Sequence, residues 1–163
     1  LLVTFDMISL TMLETPHVFV GAAIATKIPN PWVAIPLAFM SHFALEMVPH
    51  WNPHLNTETE KYGHITKRST IVTAADSTFA LLSGSFIAYQ SLPDWKHALT
   101  IFFACFASIL PDLMECPYFF LNIKWKIIEK WISFQKSIQN DVAIIPGVFT
   151  QLLTIIGAIL WIK

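Results

Sequence analysis

Charge is what this chain has least of. Asp, Glu, Lys and Arg make up 13% of its 163 residues, against 55% for the apolar and aromatic types. A soluble domain carries about 25% charged residues to cover its surface, so this composition excludes an ordinary water-soluble globule. The few charges nearly cancel: a net −1 and a pI near 6.6 leave no basic field, which excludes nucleic acid as a main partner.

Glycine is scarce too. Five dispersed glycines form no GxGxxG turn, Walker loop or GxSxG elbow, and no HExxH run occurs. The two cysteines, Cys105 and Cys116, lie eleven residues apart, which provides no disulfide framework, no CxxC knuckle and no CxxCH haem attachment. Both read as small apolar residues, and neither thiol has the partnered His of a cysteine nucleophile. Internal repeats and low-complexity tracts are absent, so residues 1–163 read as a single integral membrane domain.

What the chain has in quantity is apolar run length, with a mean hydropathy of +0.57. Punctuation by Pro, Gly and charge divides it into five candidate crossings: Pro16–Ile28, Pro31–His50, Thr70–Leu92, Trp95–Leu113 and Val142–Ile162. Thr15 is placed as N-cap of the first, with Pro16 at its first helical position, and Asp94 as N-cap of the fourth. The first is short and reads as tilted or partly inserted. Between the last two, Ile123, Ile127, Ile128, Trp131, Ile132 and Ile138 recur at helical spacing opposite Lys124, Lys126, Lys130 and Lys136, which predicts an amphipathic helix in the interface. The expected fold is therefore all-α: a polytopic membrane protein of about five transmembrane helices plus one interfacial amphipathic helix. All six Trp residues fall near predicted membrane boundaries, where an amphipathic ring is favoured, and read as anchors. Residues 1–13 carry Asp6 in mid-segment and no basic leader, and are not read as a signal peptide.

The loop 51–69 and the segment 115–141 fall on one side with Lys61, Lys67, Arg68, Lys124, Lys126, Lys130 and Lys136; the other side receives Lys27, Lys96 and Lys163. Seven against three puts the first side in the cytoplasm.

Against this apolar background one stretch stands out. In Ser41–Trp51, the side chains of His42, Glu46 and His50 recur every fourth residue, and on a helix that spacing drifts by only about 40° per step. An ionisable group costs about 2.5–3.5 kcal/mol at the centre of a membrane helix, so three in register call for a compensating partner. A His42–Glu46 hydrogen bond along the helix is one solution, but it leaves His50 and Asp76 unexplained. A metal ion is the other. Alternation of the crossings then brings His17, Glu46, His50, Asp76 and Asp112 to one membrane depth, on the cytoplasmic side. His42, Glu46, His50 and Asp76 are the expected metal ligands, with His17 and Asp112 as catalytic groups, whether ligand, general base or support. Glu115 is a weaker candidate; His54 and His64 read as solvated, and His97 lies on the opposite side.

Thr15-Pro16-His17 followed by Gly21-Ala22-Ala23, then Ser41-His42 with an acid four residues on, Pro49-His50-Trp51 and Leu110-Pro111-Asp112 resemble bacterial inner-membrane proteins classed as membrane-bound metal-dependent hydrolases. The resemblance covers about the first two thirds of the chain. The acid after the second His is usually Asp in that family and is Glu46 here. Membership would imply localisation to the bacterial inner membrane and a divalent metal. The His and carboxylate set suits Zn²⁺ best, with Mn²⁺ or Fe²⁺ if more oxygens join. At headgroup depth the partner is membrane lipid, and a phospholipid or other amphiphilic ester or phosphoester is the expected substrate. A different class of function is a non-catalytic membrane subunit with protein partners, favoured by the small size and short loops. A proton conductor fits less well, because the polar cluster does not continue to the other side.

Overall fold

The computed structural model describes residues 13–163, so the reading of residues 1–12 lies outside the described residues. The chain is all helical there, in the order α1 (Glu14–Lys27), α2 (Pro31–Glu46), α3 (Leu55–Tyr62), α4 (Lys67–Tyr89), α5 (Trp95–Leu113), α6 (Cys116–Leu121), α7 (Lys126–Ile138) and α8 (Ile144–Ile162).

Local side-chain caps set the starts of three helices. Asn30 accepts from the Trp32 N–H at 3.0 Å with Pro31 in the first turn of α2, Thr66 accepts from the Ser69 N–H at 3.3 Å, and Asp94 caps α5 through the His97 N–H at 3.1 Å. The start of α1 is different from the expected Thr15 cap. Its first-turn N–H groups are satisfied from another helix: Asp76 Oδ2 accepts from the Glu14 N–H at 2.6 Å and the Thr15 N–H at 3.3 Å, while the Thr15 hydroxyl donates to Asp76 Oδ1 at 2.6 Å. A carboxylate at a helix N-terminus meets both the orphan donors and the positive end of the dipole.

α4, α5 and α8 are long and apolar enough to cross a membrane. That is three helices where five crossings are expected from hydropathy. α1 and α2 are apolar but have only 14 and 16 residues, about 21 and 24 Å at 1.5 Å per residue against a hydrocarbon core of about 30 Å. α1 is apolar because it is central, packing against α2, α4, α5 and α8. Its Gly21, Ala22, Ala23 and Ala25 are buried, and a Cβ on Gly21 would stand 2.9 Å from the Ala104 carbonyl and the Ser108 hydroxyl. Small residues let the backbones approach this closely. The outer faces of α4 and α8 bear exposed Phe79, Leu82, Phe86, Phe149, Leu152 and Leu160, apolar surface that water would penalise and lipid accommodates.

The loop 51–69 is more structured than expected, and the segment 115–141 holds the expected amphipathic helix with a further short helix before it. The loop 51–69 contains α3, closed by Gly63 in the left-handed conformation; Glu58 on α3 accepts from the Thr66 N–H at 2.7 Å and from the Ser69 hydroxyl at 2.7 Å, tying it to the start of α4. The segment 115–141 holds α6 and the amphipathic α7, whose Ile132 packs with Leu55 and Phe119. Lys126 opens that helix, three residues after the expected Ile123.

Candidate metal centre

The repeat at His42, Glu46 and His50 does not run along one helix. α2 ends at Glu46, and Met47, Val48 and Pro49 turn the chain before His50. Nor do His42 and Glu46 pair along α2; each reaches across to a different element. Glu46 Oε1 lies 3.2 Å from His17 Nε2 of α1. His42 sends Nδ1 to the Ser108 carbonyl of α5 at 2.9 Å, and its Nε2 lies 3.1 Å from Gln135 Oε1 of α7 and 3.6 Å from Asp112 Oδ1 of α5. The His17 and His42 rings stack at 4.2 Å between centroids.

His17, His42, Glu46 and Asp112 are all buried, and one candidate ligand atom from each lies within 4.8 Å of all the others. Trans ligands of an octahedral ion stand about 4.4 Å apart and ligands of a tetrahedral ion about 3.4 Å with bonds of about 2.0–2.2 Å, so closing on a tetrahedral metal draws the most widely spaced donors together by roughly an ångström. Three features of the donor set fit a cation. First, all ten Lys and Arg side chains are exposed, so none of them balances the buried Glu46, Asp112 and Glu115. Burying carboxylates without compensation costs several kcal/mol each. Second, the Nδ1–H of His42 is committed to a backbone carbonyl, the arrangement that orients a ligating imidazole and leaves Nε2 as the electron-pair donor. Third, the Gln135 amide nitrogen donates to Asp112 Oδ1 and to Glu115 Oε1, both at 3.0 Å, and this network fixes the amide orientation. Its oxygen then faces the His42 lone pair at 3.1 Å: two acceptors that only a proton or a cation between them reconciles.

Burial pushes the Glu115 carboxyl up to about 7, the Gln135 hydrogen bond opposing the rise and the Glu46 charge adding to it. Glu115 and Asp112 also line a cavity of about 50 Å³ together with Glu14, Asp76, Cys116 and Phe119. This is room for a few water molecules beside the cluster.

The six residues singled out in the sequence are thus partly gathered. His17 and Asp112, expected as catalytic groups, stand within the ligand set. Asp76, expected as a ligand, is occupied in capping α1. His50 lies against the other oxygen of Glu46, at 3.9 Å from Oε2, rather than with His42. His54 and His64 are exposed, and His97 Nε2 bonds the Ala25 carbonyl at 3.0 Å, joining α5 to α1 away from the cluster. Sequence reasoning missed Gln135 and Asp141. Gln135 was legible as a polar residue on the Ile128 and Ile132 stripe of α7; Asp141 sits in a connection with no periodicity to mark it.

Comparison of the chain with protein-family profiles, curated proteins and solved structures returns no match.

Proposed function

We propose that this chain is a membrane-embedded metal-dependent hydrolase, working at the cytoplasmic headgroup level of a bacterial inner membrane on a phospholipid or another amphiphilic ester or phosphoester. One observation carries the reading: two imidazoles and two carboxylates converge in a buried site that receives no Lys or Arg. His17, His42, Glu46 and Asp112 would hold the ion, and this mixed nitrogen and oxygen set suits Zn²⁺, with Mn²⁺ or Fe²⁺ as oxygen-richer alternatives. The chemistry supplied by a divalent ion in such a site is a hydroxide nucleophile near neutral pH and stabilisation of developing oxyanion charge. The residues around it do the positioning. Ser108 fixes the His42 ring through its carbonyl, and Gln135 holds the Asp112 and Glu115 carboxyls through one amide. Glu115, on the cavity wall, is placed to give or take a proton at its carboxyl oxygens. α1 and α2, shorter than the bilayer, complete the five-crossing arrangement as partly inserted helices, with the Lys-rich loops on the cytoplasmic side.

A second reading, a non-catalytic membrane subunit whose metal or polar cluster fixes helix packing, is favoured by the size of the cavity. About 50 Å³ admits water but no ester, so catalysis requires the walls of this cavity to part. The test is elemental analysis of detergent-purified protein beside a His42→Ala, Glu46→Ala double variant, with helicity followed by circular dichroism. The expected result is at least one equivalent of Zn, Mn or Fe in the wild type, lost in the variant while the helices remain. Hydrolysis of a phospholipid or phosphoester by the metal-loaded wild type alone then separates the enzyme from the subunit. Absence of metal from both samples would overturn the hydrolase.

A further inference from the structure

His50 is fully buried, yet it belongs neither to the four-residue ligand group nor to any satisfied network. Its Nδ1–H donates to the Val48 carbonyl at 2.7 Å, which leaves Nε2 with a lone pair. That nitrogen has no hydrogen-bond partner among the described residues. It is aimed between two carboxylates, 3.7 Å from Asp141 Oδ1 and 3.9 Å from Glu46 Oε2. Each of these separations is too long for a hydrogen bond, and each taken singly suits two ligands of one ion with bonds of about 2.0–2.2 Å. Among the described residues only His17, His42, Glu46 and Asp112 already gather within 4.8 Å, so the Asp141 or Glu46 side chain must swing inward for both to share an ion with His50.

The backbone builds this arrangement rather than leaving it to side-chain chance. The Asn140 N–H donates to the Glu46 carbonyl at 3.1 Å, the His50 N–H to the Asn140 carbonyl at 3.1 Å, and the Val142 N–H to the His50 carbonyl at 3.0 Å, a short parallel bridge that sets Asp141 beside His50. α8 clamps it from behind. A Cβ on Gly147 would run into the Trp51 backbone nitrogen, the Thr150 hydroxyl donates to the Pro49 carbonyl, and the Gln151 amide donates to the Trp51 carbonyl.

From this geometry we propose that His50, Asp141 and Glu46 Oε2 form a second divalent-cation site, so that Glu46 bridges two ions, one through each carboxylate oxygen. The proposal deepens the metal-centre reading and rests on it for the first ion. One imidazole and two carboxylates form a more oxygen-rich set than the first site and suit Mn²⁺ or Zn²⁺.

The test strips the detergent-purified chain of metal and titrates it with Mn²⁺ alone, reading stoichiometry by elemental analysis and spin coupling by electron paramagnetic resonance, with circular dichroism as the fold check. The wild type is expected to bind two equivalents per chain and to give an exchange-coupled spectrum. His50→Ala is expected to bind one equivalent and give an uncoupled six-line Mn²⁺ signal. Asp141→Asn, which keeps the backbone bridge and the side-chain shape, is expected to lose the same equivalent. A single equivalent in the wild type that survives both variants and disappears in His42→Ala would overturn the second site and leave the first standing. A single equivalent lost in the His50 and Asp141 variants but kept in His42→Ala would support the site at His50 and overturn the four-residue centre. No bound metal in the wild type would overturn both.

Discussion

Gln135 is the residue that turns a set of acids and imidazoles into a defined arrangement. It is nearly fully buried, and its one amide spans α2, α5 and the α5–α6 corner through His42, Asp112 and Glu115. Partners that orient a metal's ligands are worth about 10–100-fold in metal affinity. Gln135→Leu keeps the volume and removes the three contacts, so metal dissociation constants measured by competition with a chelating dye should rise by about that factor while circular dichroism stays unchanged. An affinity within twofold of wild type would show that Asp112 and His42 hold their positions without it. Ser108 contributes in a way no side-chain substitution can remove, because its carbonyl is the group that His42 uses.

At the scale of elements, the α3–α4 corner ties α3 to the start of α4, the helix that carries Asp76 to the start of α1. Burial would raise the Glu58 carboxyl, but hydrogen bonds from the Thr66 N–H and from the Ser69 and Thr66 hydroxyls outweigh it and hold the group below its ordinary value of 4.5. A carboxyl depressed by folding contributes stability that is present above its unfolded value and is lost as pH falls through its folded value. The contribution is therefore intact at neutral pH and disappears below 4.5. Nuclear magnetic resonance of the Thr66 and Ser69 amides should show the corner loosening in that acid range, and Glu58→Gln should abolish this pH dependence. An identical acid transition in the Gln variant would assign it to another group. Asn30, Thr66 and Asp94 cap their own helices, whereas α1 borrows Asp76 from α4. That loan explains an acid among the small residues of α4 without giving it a ligand's task.

For the whole molecule, three helices and their apolar outer faces are compatible with lipid as part of the solvent. α4, α5 and α8 are long and apolar enough to span it, and the exposed side chains of α4 and α8 are the apolar ones that a bilayer tolerates. Leu82, 64% exposed near the middle of α4, provides the test. Leu82→Arg should cost about 2.5–3.5 kcal/mol in an insertion assay, whereas Leu82→Ala should change little because no packing is lost. Equal insertion of the Arg variant would place that face against water or protein.

The sequence by itself determined the helical class and apolar runs long enough to cross a membrane. These depend on composition and on periodicity within single segments, which propagate directly into helices and membrane exposure. It also marked His17, His42, Glu46 and Asp112, because ionisable residues in apolar segments are costly wherever the segments go. The tertiary structure alone decided who meets whom. The end of α2 at Glu46 split the His42–Glu46–His50 repeat between two sides of one carboxylate, the central position of α1 turned an apolar helix into core, and a backbone bridge carried Asp141 to His50 across 91 positions of chain. Such pairings depend on the packing of distant segments, and no local pattern in the chain records it.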